Sequence, residues 1–228
     1  MTDVKWYGQA AFAITAADGR RIICDPYTPE ELGYAPISDA ADIVLTSSDN
    51  DSAHCRHDLV PGDHAWLNCL DAVRAGGSAE VAGLAVRAVE AMEIETHPLH
   101  HPEANAMYRF EVDGIAFAHM GDCGNDLDTH QVDFLRGADV LFALAGAGGF
   151  VLSLDEVTRV IRETAPKLVI PMHFRTLTYK PRSMEWISAF LSRFDEEREV
   201  DFAFGCEVSL AAADLPSETR ILVMDYAR

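Results

Sequence analysis

The chain has 228 residues, 49% of them hydrophobic and 24% charged, with a formal net charge of −19. That length buries a sizeable core without disulfides, and the composition is that of a globular protein. The acidic balance excludes a nucleic-acid surface, which needs clustered Lys and Arg, and an anionic membrane surface; a small anionic substrate stays open, because one local Arg or a metal overrides the net field.

Cys24, Cys55, Cys69, Cys123 and Cys206 are odd in number and scattered. They predict reduced thiols and a cytoplasmic location rather than a disulfide framework. The start, Met-Thr-Asp-Val-Lys, carries no charged leader before an apolar core, so no signal peptide is expected. The apolar run from Leu141 to Leu154 is Gly-rich and shorter than the roughly 20 residues of a membrane span.

The first third reads as strands: Val4 to Tyr7, Ala11 to Ile14 and Arg21 to Cys24, with a hairpin turn at Ala17-Asp18-Gly19. Residues 28–41 hold two prolines and a glycine and read as irregular. A fourth strand covers Asp42 to Leu45. Ala106 to Val112 and Ile115 to His119 flank Asp113-Gly114, a strong hairpin signal. A short helix is expected from Thr129 to Arg136, stopping at Gly137, and a buried strand from Val140 to Ala143. Ser153-x-x-Glu156 is a capping-box pattern that opens a helix ending near Pro166. The strand Lys167 to Ile170 follows, and Ser183 is expected to cap a last helix with Trp186, Ile187, Phe190, Leu191 and Phe194 in one apolar stripe. No linker divides the chain, so residues 1–228 read as one domain, a sheet sandwich covered by helices.

Metal-ligand residue types recur at strand ends in four places. These are Thr46 to His54, His97-Pro-Leu-His100-His101, Met120-Gly121-Asp122-Cys123-Gly124-Asn125 and Pro171-Met172-His173-Phe174. One His after a strand is usually structural; the recurrence points to ligands converging on one edge of a sheet.

The ordered set resembles the metallo-β-lactamase superfamily, in the branch of small bacterial Zn-dependent hydrolases that includes the ascorbate-6-phosphate lactonase relatives. The likeness runs through Val4-Lys-Trp-Tyr-Gly-Gln-Ala-Ala-Phe, Ile23-Cys-Asp-Pro, the hairpin and Gly-Asp turn from Asn105 to Asn125, Gly146-Ala-Gly-Gly, and Lys167-Leu-Val-Ile-Pro-Met-His-Phe-Arg. It implies an α/β fold, the four-layer αβ/βα sandwich, with its site at one edge. The family pattern Thr-His-x-His-x-Asp-His breaks here. Aligned on Thr46, the chain has Ser47, Asp49, Asp51 and Ser52, and only Asp51 is the expected residue. Asp122 matches the bridging carboxylate and His173 the last histidine. His97 matches the mid-chain ligand, with His100 left open by a length difference.

The resemblance thus implies a metal-dependent hydrolase acting on an ester, lactone or phosphoester bond of a small-molecule substrate through a metal-activated water. Its implied metal ligands are drawn from Asp49, Asp51, His54, His97, Asp122 and His173. Asp51 would also orient the water, and His54, two residues past the lost position, could swing in. His54-Cys55-Arg56-His57 is open as a replacement cluster. Asp25 would hold a ligand or the loop in place, and Arg175 and Tyr179 would meet an anionic substrate group. A single divalent ion is expected, zinc, manganese or iron, because oxygen donors replace imidazoles. The alternative is a metal-free, non-catalytic member of the fold that binds a ligand or partner. The oligomeric state is left open.

Overall fold

A computed structural model describes residues 1–49, 52–93, 105–148, 151–181 and 183–228. Among these, the chain order is β1 (Thr2–Gly8), β2 (Ala11–Thr15), β3 (Arg21–Cys24), α1 (Pro29–Leu32), β4 (Ile43–Thr46), β5 (Ala65–Asn68), α2 (Cys69–Arg74), β6 (Ser78–Val81), β7 (Leu84–Ala91), β8 (Asn105–Val112) and β9 (Ile115–His119). It continues with α3 (Thr129–Leu135), β10 (Val140–Leu144), α4 (Leu154–Thr164), β11 (Leu168–Met172), α5 (Ile187–Leu191), α6 (Glu196–Glu199), β12 (Val200–Phe202), β13 (Glu207–Leu210) and β14 (Arg220–Val223).

Two sheets result. A six-stranded sheet runs β13-β1-β2-β3-β4-β5 and an eight-stranded sheet runs β12-β14-β11-β10-β9-β8-β7-β6. The mixed α/β fold with two large sheets is that of the metallo-β-lactamase sandwich. The short C-terminal strands finish one edge of each sheet. Among the described residues, no helix is long and apolar enough to cross a membrane.

The sheets meet through aromatic rings. Phe12 of β2 stacks on Phe142 of β10 with centroids 4.1 Å apart, and Phe142 also stacks on Phe117 of β9 at 6.0 Å. All three are fully buried. Offset stacks of this kind add to the burial of apolar area that holds two layers together.

Topology sets the site. β3, β4 and β5 are mutually parallel, as are β9, β10 and β11. Their C-terminal ends deliver Asp25, the loop after Thr46, the Gly121-Asp122 turn and His173. Parallel strands place the residues that follow them along a common edge, where ligands gather.

Local expectations differ from the structure in three places. Ser183 does not cap the last helix: α5 starts at Ile187, with Trp186 as its N-terminal flanking residue. Trp186 is 41% exposed, so it leaves the apolar stripe, while Phe190 and Phe194 are buried. The Arg175 guanidinium lies 4.7 Å over the Trp186 ring, which gives that ring a cation to cover instead of core to fill. At Ser153 half of the capping box forms. Its hydroxyl accepts from Glu156 N at 3.2 Å, while the Glu156 carboxylate turns to Leu127 N and Arg159. Residues 28–41 are irregular apart from the single turn of α1.

Replacing Phe142 by Ala should cost about 3–5 kcal/mol, because it empties the centre of the inter-sheet stack. Chemical denaturation measures this; a loss below about 1 kcal/mol would mean the rings do not hold the sheets together.

Candidate metal centre

The loop after β4 is pinned to the segment after β3. Ser52 O accepts from Thr28 N at 2.9 Å, Arg56 N donates to Pro26 O at 2.9 Å, and the Ser52 hydroxyl donates to Glu31. This backbone pairing carries His54 alongside Asp25.

Asp25 is fully buried and collects four contacts. Its Oδ1 accepts from Ser47 N at 2.9 Å and from the Tyr108 hydroxyl at 3.1 Å. Its Oδ2 accepts from the Ser47 hydroxyl at 2.6 Å and faces His54 Nδ1 at 3.0 Å. A carboxylate offers only acceptors, so the network assigns the His54 proton to Nδ1. The lone pair of Nε2 then points across the site, toward Asp122 Oδ2 at 3.5 Å.

Asp122 follows β9 in a turn that only glycine can make. Gly121 has φ 61°, and a Cβ there would lie 2.4 Å from Asn105 Oδ1 and 2.8 Å from Ala106 O. Asn105 Oδ1 accepts from Asp122 N at 2.8 Å. His119 braces the same turn: its Nδ1 accepts from Gly121 N at 3.0 Å and its Nε2 donates to Ala10 O at 2.9 Å.

His173 follows β11 with φ 55°, and its amide donates to Gln9 O at 3.0 Å. Asp25 also sits at positive φ, 44°. Non-glycine residues pay about 1–2 kcal/mol each for this backbone, and such strain concentrates at functional sites. The His173 ring lies 5.3 Å from the His54 ring and nearly parallel to it, at 15°. Its Nε2 is 3.2 Å from Asp122 Oδ1.

One ligand atom each from His54, Asp122 and His173 therefore lies within 4.8 Å of the others, and all three residues are buried. Burial pushes the Asp122 carboxyl up, but the facing imidazoles of His173 and His54 outweigh it and hold it well below the usual carboxylate range. Asp122 Oδ1 is buried and receives no hydrogen bond from the described residues. A carboxylate between two imidazoles, one of them aiming a lone pair at it, fits a divalent cation. Two imidazoles and a carboxylate are a common protein ligand set for zinc.

The other expected site residues divide as follows. Asp49 is outside this cluster, 38% exposed and ion-paired with Arg74 Nη2 at 3.0 Å. The Ser47 and Ser52 side chains are spent on Asp25 and Glu31. Of His54-Cys55-Arg56-His57, only His54 joins the described cluster: Arg56 forks onto Asp58 and His57 stacks on Trp66 at 3.9 Å. Arg175 covers Trp186, and Tyr179 is buried with its ring tilted over Tyr34 at 6.1 Å. Asp51, His97 and His100 lie outside the described residues. Sequence reasoning missed Tyr108 and His119, which brace Asp25 and the Asp122 turn. His119 ends a legible strand, and its Gly-Asp sequel was the available signal.

Residues 3–173 match the family model described as the beta-lactamase superfamily domain, and the chain belongs to that family. It is 25% identical over 205 residues to a metal-dependent hydrolase of Staphylothermus marinus, covering 78% of this chain and 86% of that protein. It is 26% identical over 238 residues to a metal-dependent hydrolase of Anaeromyxobacter dehalogenans, covering 88% and 84%. Among solved structures, a provisionally assigned Zn-dependent hydrolase of the metallo-β-lactamase superfamily from Thermotoga maritima superimposes with a TM-score of 0.76 at 26% identity, over 100% of each chain.

His119 yields a pH dependence. Burial pushes its imidazole down from the ordinary value, against an opposing pull from Asp25. A depressed folded pKa means that the unfolded chain takes up the proton more readily, so this contribution is complete above about pH 6.5 and is lost as pH falls below it. Metal-free protein should lose stability from pH 7.5 to 5.5, and His119→Gln should flatten that slope. Equal slopes in urea denaturation would contradict the assignment.

Proposed function

We propose that this chain is a hydrolase that holds one divalent cation between His54, Asp122 and His173 and acts on an ester, lactone or phosphoester bond of a small molecule. The observation that carries the reading is Asp122 set between two imidazoles, one of them oriented by Asp25. The metal-dependent hydrolase relatives support the class.

Asp25 fixes the His54 tautomer and keeps Nε2 directed at Asp122. Asp122 neutralises part of the bound charge, and the His119 and Asn105 contacts hold its turn in register. His97 or His100 would add a further nitrogen. Asp51 is the carboxylate this reading assigns to receiving a proton from attacking water. Arg175, which lies over Trp186, and Tyr179 are assigned to an anionic group of the substrate. When bound, the cation would polarise a carbonyl or phosphoryl oxygen and acidify a water.

One ion rather than two is supported by the fate of the replaced positions. Ser47 and Ser52 point to other partners, and Asp49 is tied to Arg74. The metal is zinc, manganese or iron; oxygen donors favour the latter two relative to an all-imidazole site. The lactonase-like branch belongs to this reading. So does a cytoplasmic location, which suits five cysteines that form no disulfide. Residues 1–228 are taken as one domain, since β12 to β14 complete both sheets. The same spent serines favour the second reading, a metal-free member of the fold that binds a ligand or partner.

Asp122→Ala should remove bound metal and any turnover together, because a carboxylate both neutralises and positions the ion. His54→Ala should weaken metal binding by at least the roughly 10–100-fold typical of changes around a metal. Asp49→Ala should leave metal content unchanged. Elemental analysis and turnover of an ester, lactone and phosphodiester panel check all three. Retention of metal by Asp122→Ala, or its loss in Asp49→Ala, would move the site. Wild-type protein that takes up no metal under any loading condition would favour the binding reading.

A further inference from the structure

The tight turn between β1 and β2 carries Gln9 at φ 50°, a backbone that non-glycine residues rarely adopt. Its main-chain oxygen accepts from Trp6 Nε1 at 3.1 Å and from His173 N at 3.0 Å, so both of its lone pairs are engaged. Gln9 is only 2% exposed, and its side-chain Oε1 is buried and accepts no hydrogen bond from the described residues. His173 Nδ1 is buried and makes none either, while Nε2 of the same ring faces Asp122 Oδ1 at 3.2 Å. Buried polar atoms without partners are rare in folded proteins and each needs a physical reason. Topology pairs these two. Arg20 Nε and His64 Nδ1 are also buried without a bond among the described residues, but they precede β3 and β5 and sit at the opposite edge of the six-stranded sheet. Gln9 precedes β2, which is antiparallel to β3, so it shares the edge at which β3 delivers Asp25.

We propose that the Gln9 side-chain carbonyl is the acceptor for His173 Nδ1–H, and that it thereby sets the tautomer in which Nε2 offers its lone pair to the cation. Gln9 is then a positioning residue, and the inference rests on the reading of His173 as a ligand. Nδ1 is the ring nitrogen nearer the main chain, so it lies toward the side where Gln9 O holds His173 N. The terminal torsion of a glutamine is broad, which lets its amide turn to meet the ring. A ligand histidine nearly always donates its other nitrogen to an acceptor, which fixes tautomer and ring orientation. Asp25 serves His54 in this way, and Gln9 is the counterpart for His173. The opposite tautomer would aim a proton at the place of the cation and leave Gln9 Oε1 without a donor. A neutral amide accepts more weakly than a carboxylate, so His173 is the less electron-rich of the two imidazole ligands.

The test is the imidazole tautomer of His173 in the metal-free full chain, read from two-bond ¹H–¹⁵N correlations at about pH 8, above the ordinary imidazole range. The His173 signals are those absent from His173→Ala. Wild type should carry the proton on Nδ1. Gln9→Met keeps the length and removes the acceptor. The proton should then move to Nε2, and Zn²⁺ affinity by chelator competition should fall about 10–100-fold. Gln9→Glu keeps an acceptor, so it should retain the Nδ1 proton and bind Zn²⁺ at least as tightly as wild type. Should Gln9→Met fail to fold, Gln9→Asn suits the positive φ, draws the carbonyl back by one methylene and should shift the tautomer in the same direction. A proton on Nε2 in wild type, or one that stays on Nδ1 when the acceptor is removed, overturns the inference. Loss of Zn²⁺ in His173→Ala beside full affinity in Gln9→Met overturns it too and leaves the single-cation reading standing. Wild-type protein that binds no cation overturns that reading, and the tautomer alone then decides whether Gln9 orients the ring.

Discussion

The site depends on one buried carboxylate. Asp25 sits at the end of β3 with no exposure, and its acceptor sites are filled by Ser47 N, the Ser47 and Tyr108 hydroxyls and His54 Nδ1. A buried carboxylate without such donors would cost several kcal/mol. The four donors come from three places: two from Ser47 in the loop after β4, one from strand β8 and one from the segment past Ser52. Satisfying Asp25 therefore fixes the distance between the two sheets at this edge and the direction of the His54 ring. The aromatic stack of Phe12, Phe142 and Phe117 supplies the rigid base on which these loops stand.

From that anchor the rearranged ligand loop makes physical sense. The resembled pattern puts imidazoles at positions 47, 49 and 52, and the chain has Ser, Asp and Ser there. Ser47 is used as a donor to Asp25 and Ser52 as a tie to α1. The turn that follows Ser52 runs back past Pro26 and delivers an imidazole from position 54. Three loop hydrogen bonds place the His54 nitrogen beside Asp122 although it lies two residues past the resembled position. Asp49 faces Arg74 instead, so the side of the loop that would serve a second ion is occupied by an ordinary surface ion pair.

Much of the framework was legible. The hairpin at Asp113-Gly114, the strand ending at Cys24 and the helix after Ser153 follow from turn chemistry and periodicity, and all three form. Strands β5, β6 and β12 to β14 are three or four residues long, too short for a period to register. Strand β7 alternates over Leu84 to Ala88 and then slips, with Ala88 and Val89 both buried, and three of its eight residues are alanine, which carries little β signal. Trp186 was read by hydrophobicity alone, while its place is set by Arg175. At the site, Asp122 and His173 were readable because each directly follows a strand. Whether His54 reaches the same point depends on loop hydrogen bonds over residues 26–56, which no local pattern encodes.

The most direct measurement is a crystal structure of the protein grown with Mn²⁺ or Zn²⁺, with the metal located by its anomalous scattering. The account predicts one peak, with His54 Nε2, an Asp122 oxygen and a His173 nitrogen at about 2.0–2.2 Å. Two peaks, or a single peak at Asp49 with none beside His54, would contradict it.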